Sequence, residues 1–270
     1  MIKQVLITLA GAALLAAIPS QAKVPKRAVI AAATDPAAHW LAADRFAAVL
    51  TPEAVLPQQA DRLIVSMFDA FDRKDAGFNT MEQQYPGMKE AISVRIRPIV
   101  INYARQTLPL YRADLSQLFQ AELTTAECNA AVAFFASSDG QVLMSSLQES
   151  MGYERTAGAL AGQKPATNAD VAADKRAAGQ QAFSSFDPAR RQRVTRFFES
   201  PLGRKLLALG PQRTAIDQKW VNYSPPGADA VMQTAVLEAM VDHVGKTDPA
   251  KAAQFRAELE KEGLLPKKPF

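Results

Sequence analysis

Apolar residues recur along this chain at three- and four-residue spacing, the period of a helix with one buried face. Between Gln58 and Phe71 they fall at Leu63, Ile64, Met67, Phe68 and Phe71. From Met88 to Leu123 two stripes run side by side. Ile92, Ile96, Ile99 and Tyr103 form one, and Val94, Ile101, Leu108 and Leu115 the other. Two stripes predict a helix packed on two sides, at the centre of the fold. Pro98 and Pro109 each remove a helix hydrogen bond and are expected to kink or divide it. Asp35-Pro36, Thr51-Pro52 and Asp248-Pro249 read as helix starts, with a capping side chain before a proline in the first turn. Asp72 to Pro86 reads as a polar loop. Ala169 to Phe183 is an Ala-rich helix, and Val231 to Val244 an almost wholly apolar one ended by Gly245. No series of alternating strands with hairpin turns appears. The expected class is all-α: a helical bundle built around two helix-turn-helix repeats.

The repeats align without a gap at an offset of 63 residues. Phe134-Phe135-Ala136-Ser137-Ser138-Asp139-Gly140 matches Phe197-Phe198-Glu199-Ser200-Pro201-Leu202-Gly203. Upstream, Thr124 with Glu127 makes a capping box, and Asp187 with Pro188 an equivalent start. Each unit, 124–151 and 187–209, reads as helix, tight turn, helix. The Phe pair ends the first helix on its buried side. Ser137 or Ser138, and Ser200, cap the second. Gly140 and Gly203 fall in the first turn of that second helix, where a side chain would strike the Phe pair or its backbone.

The run Phe, aromatic, any residue, Ser, Pro or small, any residue, Gly, then Arg/Lys and Leu resembles an uncharacterised bacterial family, domain of unknown function twenty-fifty-nine. Tyr111, Leu118-Phe119, Glu122-Leu123 and Thr124 to Glu127 fit the stretch that precedes its motif. The likeness covers about residues 88–211. The first copy departs from the pattern at Asp139 and Gln141, while the second keeps Pro201 and Arg204. What it implies is an exported helical protein. It implies no activity and no catalytic residue.

The N-terminus adds a compartment. Lys3, an apolar run from Val5 to Ile18 and the close Ser20-Gln21-Ala22 read as a secretory signal peptide over 1–22. The run falls short of the roughly 20 apolar residues that span a bilayer. No Cys follows it to carry a lipid. The expected order is a signal peptide (1–22), a flexible leader (23–34), one all-helical domain (35–262) and a tail (263–270). No transmembrane segment is expected after cleavage, so the protein would be periplasmic or secreted.

Composition narrows the chemistry. The 270 residues carry 31 basic and 27 acidic side chains, a formal charge of +4, and 48 % hydrophobic residues. That excludes a disordered chain. One Cys excludes an intrachain disulfide and a Cys-based zinc site, and two His leave little material for an imidazole cluster, so neither metal nor cofactor is expected. Asp72 to Gln83 has Lys74 and Ala76 where an EF-hand needs oxygen ligands. Cys128 lies at helical spacing from Val132 and Phe135 and should face the core. His243 follows Met232, Val236 and Met240 and reads as a packed residue. A base built from His39, His243 and Asp242 would require distant segments to meet. Glu149 and Glu154 read as solvated acids, and no nucleotide or hydrolase fingerprint is present.

Two basic groups remain. Arg95, Asn102, Arg105 and Arg112 share a helix face that reads as a solvated edge, with an anion site as the alternative. Arg190, Arg191, Arg193 and Arg196 make the second repeat basic, a possible face for an anionic partner. With no reading motif, nucleic acid is not expected. The expected function is a non-enzymatic envelope protein that binds an envelope protein or an anionic envelope surface. The alternatives are a carrier of a small apolar or lipid-like ligand, which a closed apolar pocket above roughly 300 Å³ would favour, and an envelope hydrolase, which a cleft of clustered acids or His39 near His243 would favour.

Overall fold

The computed structural model describes residues 35–74, 76–162 and 164–266. Residues 1–34, where a signal peptide and a leader are expected, lie outside the described residues. The described chain is helical throughout, with no strand. α1 (Pro36–Leu50) is followed by a 3₁₀ turn (Glu53–Val55), α2 (Leu56–Lys74), α3 (Ala76–Gln84) and the long α4 (Met88–Glu122). Then come α5 (Thr125–Ala136), α6 (Ser138–Ser150), α7 (Glu154–Ala161), α8 (Asn168–Ser184), α9 (Pro188–Glu199) and α10 (Pro201–Ala208). α11 (Gly210–Val221), α12 (Ala228–Gly245) and α13 (Pro249–Lys261) complete the fold. Among the described residues, no helix is long and apolar enough to cross a membrane.

Four of the expected caps are in place, while Thr51 caps no helix start: it ends α1, and its hydroxyl donates back to Ala47 O at 2.8 Å. Asp35 accepts from Ala37 N at 3.0 Å, Asp187 from Arg190 N at 2.8 Å and Asp248 from Lys251 N at 2.9 Å. Thr124 and Glu127 exchange the two bonds of a capping box, at 3.2 and 2.7 Å. Each cap satisfies a first-turn N–H that has no partner inside its helix.

α4 is the axis. α1, α2, α11 and α12 all pack on it. Its buried residues include Met88, Ile92, Ile96, Leu108, Leu115 and Phe119. Phe46 of α1 meets Phe119 at 4.4 Å between ring centroids and Phe135 of α5 at 5.9 Å. Both prolines lie inside α4 without ending it. Near the second, the Thr107 hydroxyl donates to the carbonyls of Tyr103 and Ala104 at 3.0 and 3.2 Å.

Three further expectations need correction. Val94, placed on the second stripe, is 64 % exposed, so that stripe is buried only from Ile101 onward, through Leu108 and Leu115. The loop expected over Asp72–Pro86 contains α3, whose Asn79 side chain donates to the Asp72 carbonyl at 3.2 Å. The end of the domain also differs from 262. Gly263, at φ 71°, closes α13, with Leu264 N bonded to Leu259 O at 2.8 Å and Gly263 N to Glu260 O at 3.2 Å. That glycine turn reverses the chain and folds Leu265 into the core at 3 % exposure.

Candidate functional site

The two Gly turns are built alike. Ser137 accepts from Gly140 N at 3.2 Å, and Ser200 from Gly203 N at 3.0 Å. Each serine hydroxyl also donates to the carbonyl of the first Phe of its unit at 2.6 Å. A Cβ on Gly140 would lie 2.1 Å from the Phe134 carbonyl oxygen, and one on Gly203 2.0 Å from that of Phe197. Backbone cannot yield that far, so only glycine fits. The units meet through their aromatics. Phe134 and Phe197 stack at 3.5 Å with an interplanar angle of 1°, while Phe135 and Phe198 are buried behind them.

The cations of the second unit point inward more than expected. Arg193 makes a two-point bond to Asp139 of the first unit, at 2.6 and 2.8 Å, and Arg190 reaches the same carboxylate at 3.4 Å. Lys205 binds Glu127 at 2.7 and 2.9 Å. Arg191 donates to the Phe186 and Ser184 carbonyls at 2.9 and 3.3 Å. Arg196 is exposed. The acids that Arg190 and Arg193 meet here thus belong to the same chain.

The other candidate residues are dispersed. Arg95 pairs with Asp242 at 2.6 Å, Arg105 with Glu53 at 3.1 Å, and Arg112 donates to the Thr51 hydroxyl and carbonyl at 2.9 and 2.6 Å. His39 Nε2 donates to Leu123 O at 2.8 Å and His243 Nε2 to Pro86 O at 3.0 Å. These carbonyls flank the two ends of α4, about 50 Å apart at 1.5 Å per residue, so the histidines do not meet. Cys128 is fully buried, and burial, with Glu127 beside it, pushes its thiol up to about 11.

A cleft of about 450 Å³ opens between α2, the α6–α7 turn and α8. Asp61, Asp69, Glu149 and Glu154 are exposed on its walls together with a single exposed cation, Arg73, and Val65 is 58 % exposed. Arg62 and Ser66 fix its floor by donating to the Gln148 and Gly152 carbonyls. Glu149 and Glu154, separated in sequence terms, thus share one opening.

Behind the cleft, Tyr153 stands at φ 49°, a left-handed conformation that costs a residue with a side chain about 1–2 kcal/mol. It holds the capping position of α7 but supplies no capping bond. Asp174 of α8 does so instead, accepting from Arg155 N and Thr156 N at 2.9 Å each. Burial raises the Asp174 carboxyl although both N–H groups favour its charged form. The Tyr153 ring is 1 % exposed, and burial raises its phenol.

Beside it lies a buried polar cluster absent from the expected sites. The Tyr111 hydroxyl of α4 donates to Asp217 Oδ1 of α11 at 2.6 Å, and the Lys175 ammonium of α8 bonds Asp217 Oδ2. Burial drives the Tyr111 phenol well above its ordinary value and pulls Lys175 below its own, against the attraction of Asp217. Arg213 shares the interior, close enough to lower the Tyr111 phenol, yet none of its three nitrogens has an acceptor in bonding geometry. A signal for this cluster does exist in the sequence. Lys175 stands in line with Val171, Ala178 and Ala182, and Arg213 and Asp217 with Trp220, on apolar stripes.

Among known proteins, no family model matches the chain, and no curated protein or solved structure matches it.

Proposed function

We propose that the protein is an exported, soluble envelope protein that binds a partner protein without catalysis, through the cleft between α2, the α6–α7 turn and α8. The observation that carries this reading is the cleft wall, where Asp69, Glu149 and Glu154 surround an opening of about 450 Å³ beside exposed Val65. Such a surface suits a segment with basic residues flanking an apolar one. The signal-like leader and the resemblance of the two Phe-Gly motifs support the exported setting. Against catalysis stand the separated histidines and the buried, protonated thiol of Cys128.

The test is crosslinked capture from the native envelope, read by mass spectrometry. A protein carrying Asp69→Asn, Glu149→Gln and Glu154→Gln should keep its fold and lose the captured partner. Equal capture by this variant would remove the cleft from the function. Reversal of Arg196 to Glu examines the outer basic face in the same experiment. A loss there, with the cleft variant unaffected, would move the site to α9.

One alternative has an observation in its favour. The gathered carboxylates would serve an envelope hydrolase, with one acid protonating a leaving group while another activates water. Release of reducing ends from envelope glycan by the native protein, and its loss in Glu149→Gln or Glu154→Gln, would establish it. A carrier of apolar ligands fits less well, since the cleft is open and lined by charge.

A further inference from the structure

Where α4, α8 and α11 meet, two cations share one carboxylate. Lys175 and Arg213 are each 2 % exposed and Asp217 is fully buried. Both Asp217 oxygens are engaged, one by Tyr111 and the other by Lys175. The other buried acid of α8, Asp174, has both oxygens on the backbone N–H groups of α7. Arg213 thus carries its charge in the interior with Nε, Nη1 and Nη2 all lacking an acceptor. A guanidinium does not shed its proton in a protein. A buried charge without a partner is strongly disfavoured, so such groups are paired or bind a counter-ion.

We propose that Arg213 holds a small monovalent anion in the interior between α4, α8 and α11. Asp217 is taken up by Tyr111 and Lys175, and Asp174 by the backbone N–H groups of α7, so the Arg213 guanidinium is the group left without a direct counter-charge, and a single negative charge at its fork would supply one. The burial of every member selects an ion of halide or formate size, because a larger anion would have to part the helices. The planar donor fork of arginine suits both a spherical halide and a two-oxygen carboxylate. The ion ties α11 to its neighbours. Because these three helices meet only in the folded chain, the ion binds the native state and stabilises it by mass action. This site is independent of the cleft.

Thermal unfolding of the full chain tests the proposal, in chloride, bromide or formate balanced by gluconate to constant ionic strength. The melting temperature should rise by roughly 3–5 °C for each tenfold increase in small anion above its dissociation constant. Arg213→Met should abolish this dependence, and Arg196→Ala, an exposed cation, should keep it. A melting temperature indifferent to chloride, bromide and formate overturns the proposal. If Arg213→Met does not fold, crystals of the unaltered protein in bromide decide the matter. An anomalous peak beside the Arg213 guanidinium supports it. A cluster without bromide, balanced instead by a neutral Lys175 amine in the nitrogen resonance spectrum, overturns it.

Discussion

The α5–α6 and α9–α10 units share a turn and differ in charge. Ser137 and Ser200 cap alike, and Gly140 and Gly203 face the same backbone obstruction. Yet the acids of the inter-unit ion pairs, Glu127 and Asp139, come from the first unit, and the bases, Lys205, Arg190 and Arg193, from the second. Register position 128 carries a buried Cys, and its counterpart 191 an Arg that reaches backbone carbonyls. The difference teaches that backbone shape and surface charge answer to separate constraints. Steric contact at the turn admits a single residue type, while the faces can diverge until one unit complements the other. A chain with two identical faces would pair like with like, whereas opposite charges favour the contact between first and second unit.

The hardest blow to the comparison is Gly203→Val. Its Cβ would meet a carbonyl oxygen at 2.0 Å, so we expect a loss of about 3 kcal/mol, at the upper end of ordinary overpacking. Gly140→Val should cost the same within about 0.5 kcal/mol, an expectation of the shared turn. Urea unfolding of both variants checks this, and a large inequality would mean that the turns carry different loads. Next comes Cys128→Ser, expected to cost about 1–3 kcal/mol for a buried hydroxyl without a good partner. The native thiol should react with alkylating reagent only after denaturation, and fast native labelling would contradict its burial.

The smallest effect concerns charge. Burial alone would raise the Glu127 carboxyl, but Lys205 and the Thr124 N–H outweigh it and hold it below its ordinary value of 4.5. Its stabilisation is therefore present above about pH 4.5 and lost as pH falls through the lower folded value. Lys205→Met should remove about 0.5 kcal/mol at pH 7, a figure already reduced for the screening of a partly exposed pair. It should also flatten part of the acid limb of the stability profile. Asp139, held low by Arg193, contributes with the same sign. Asp174, raised by burial, contributes with the opposite one, losing stability as pH rises through its folded value. An unchanged acid limb in Lys205→Met would show that the inter-unit pair does not couple to folding.

Helix starts were the most readable part of the sequence. An Asp or Thr before a proline or a capping box fixes local geometry with little help from the rest of the chain, as at Asp35, Thr124, Asp187 and Asp248. The turn glycines were readable for the same reason, since their obstruction comes from residues five or six positions away. What lay between distant segments was not. Nothing local says that Arg193 will meet Asp139, or that Glu149 and Glu154 will share a cleft with Asp69 of α2. The buried cluster was hidden by a habit of reading, which assigns Lys, Arg and Asp on a helix to solvent. Lys175 breaks that habit because Val171, Ala178 and Ala182 occupy the same face, and a charge in line with an apolar stripe is a charge in the interior.

The central position of α4 also sets a timetable. Ile92 and Ile96 lie in the half of that helix covered by α12, whose Asp242 and His243 reach Arg95 and Pro86. A chain emerging from its N-terminus must therefore wait for some 150 further residues before that flank is closed. Contacts so far apart in sequence form late and slow folding, because a long loop has to be ordered first. Until then the helix offers unshielded apolar surface to whatever accompanies the nascent chain. A polypeptide built this way keeps that flank open until residues 228–245 arrive.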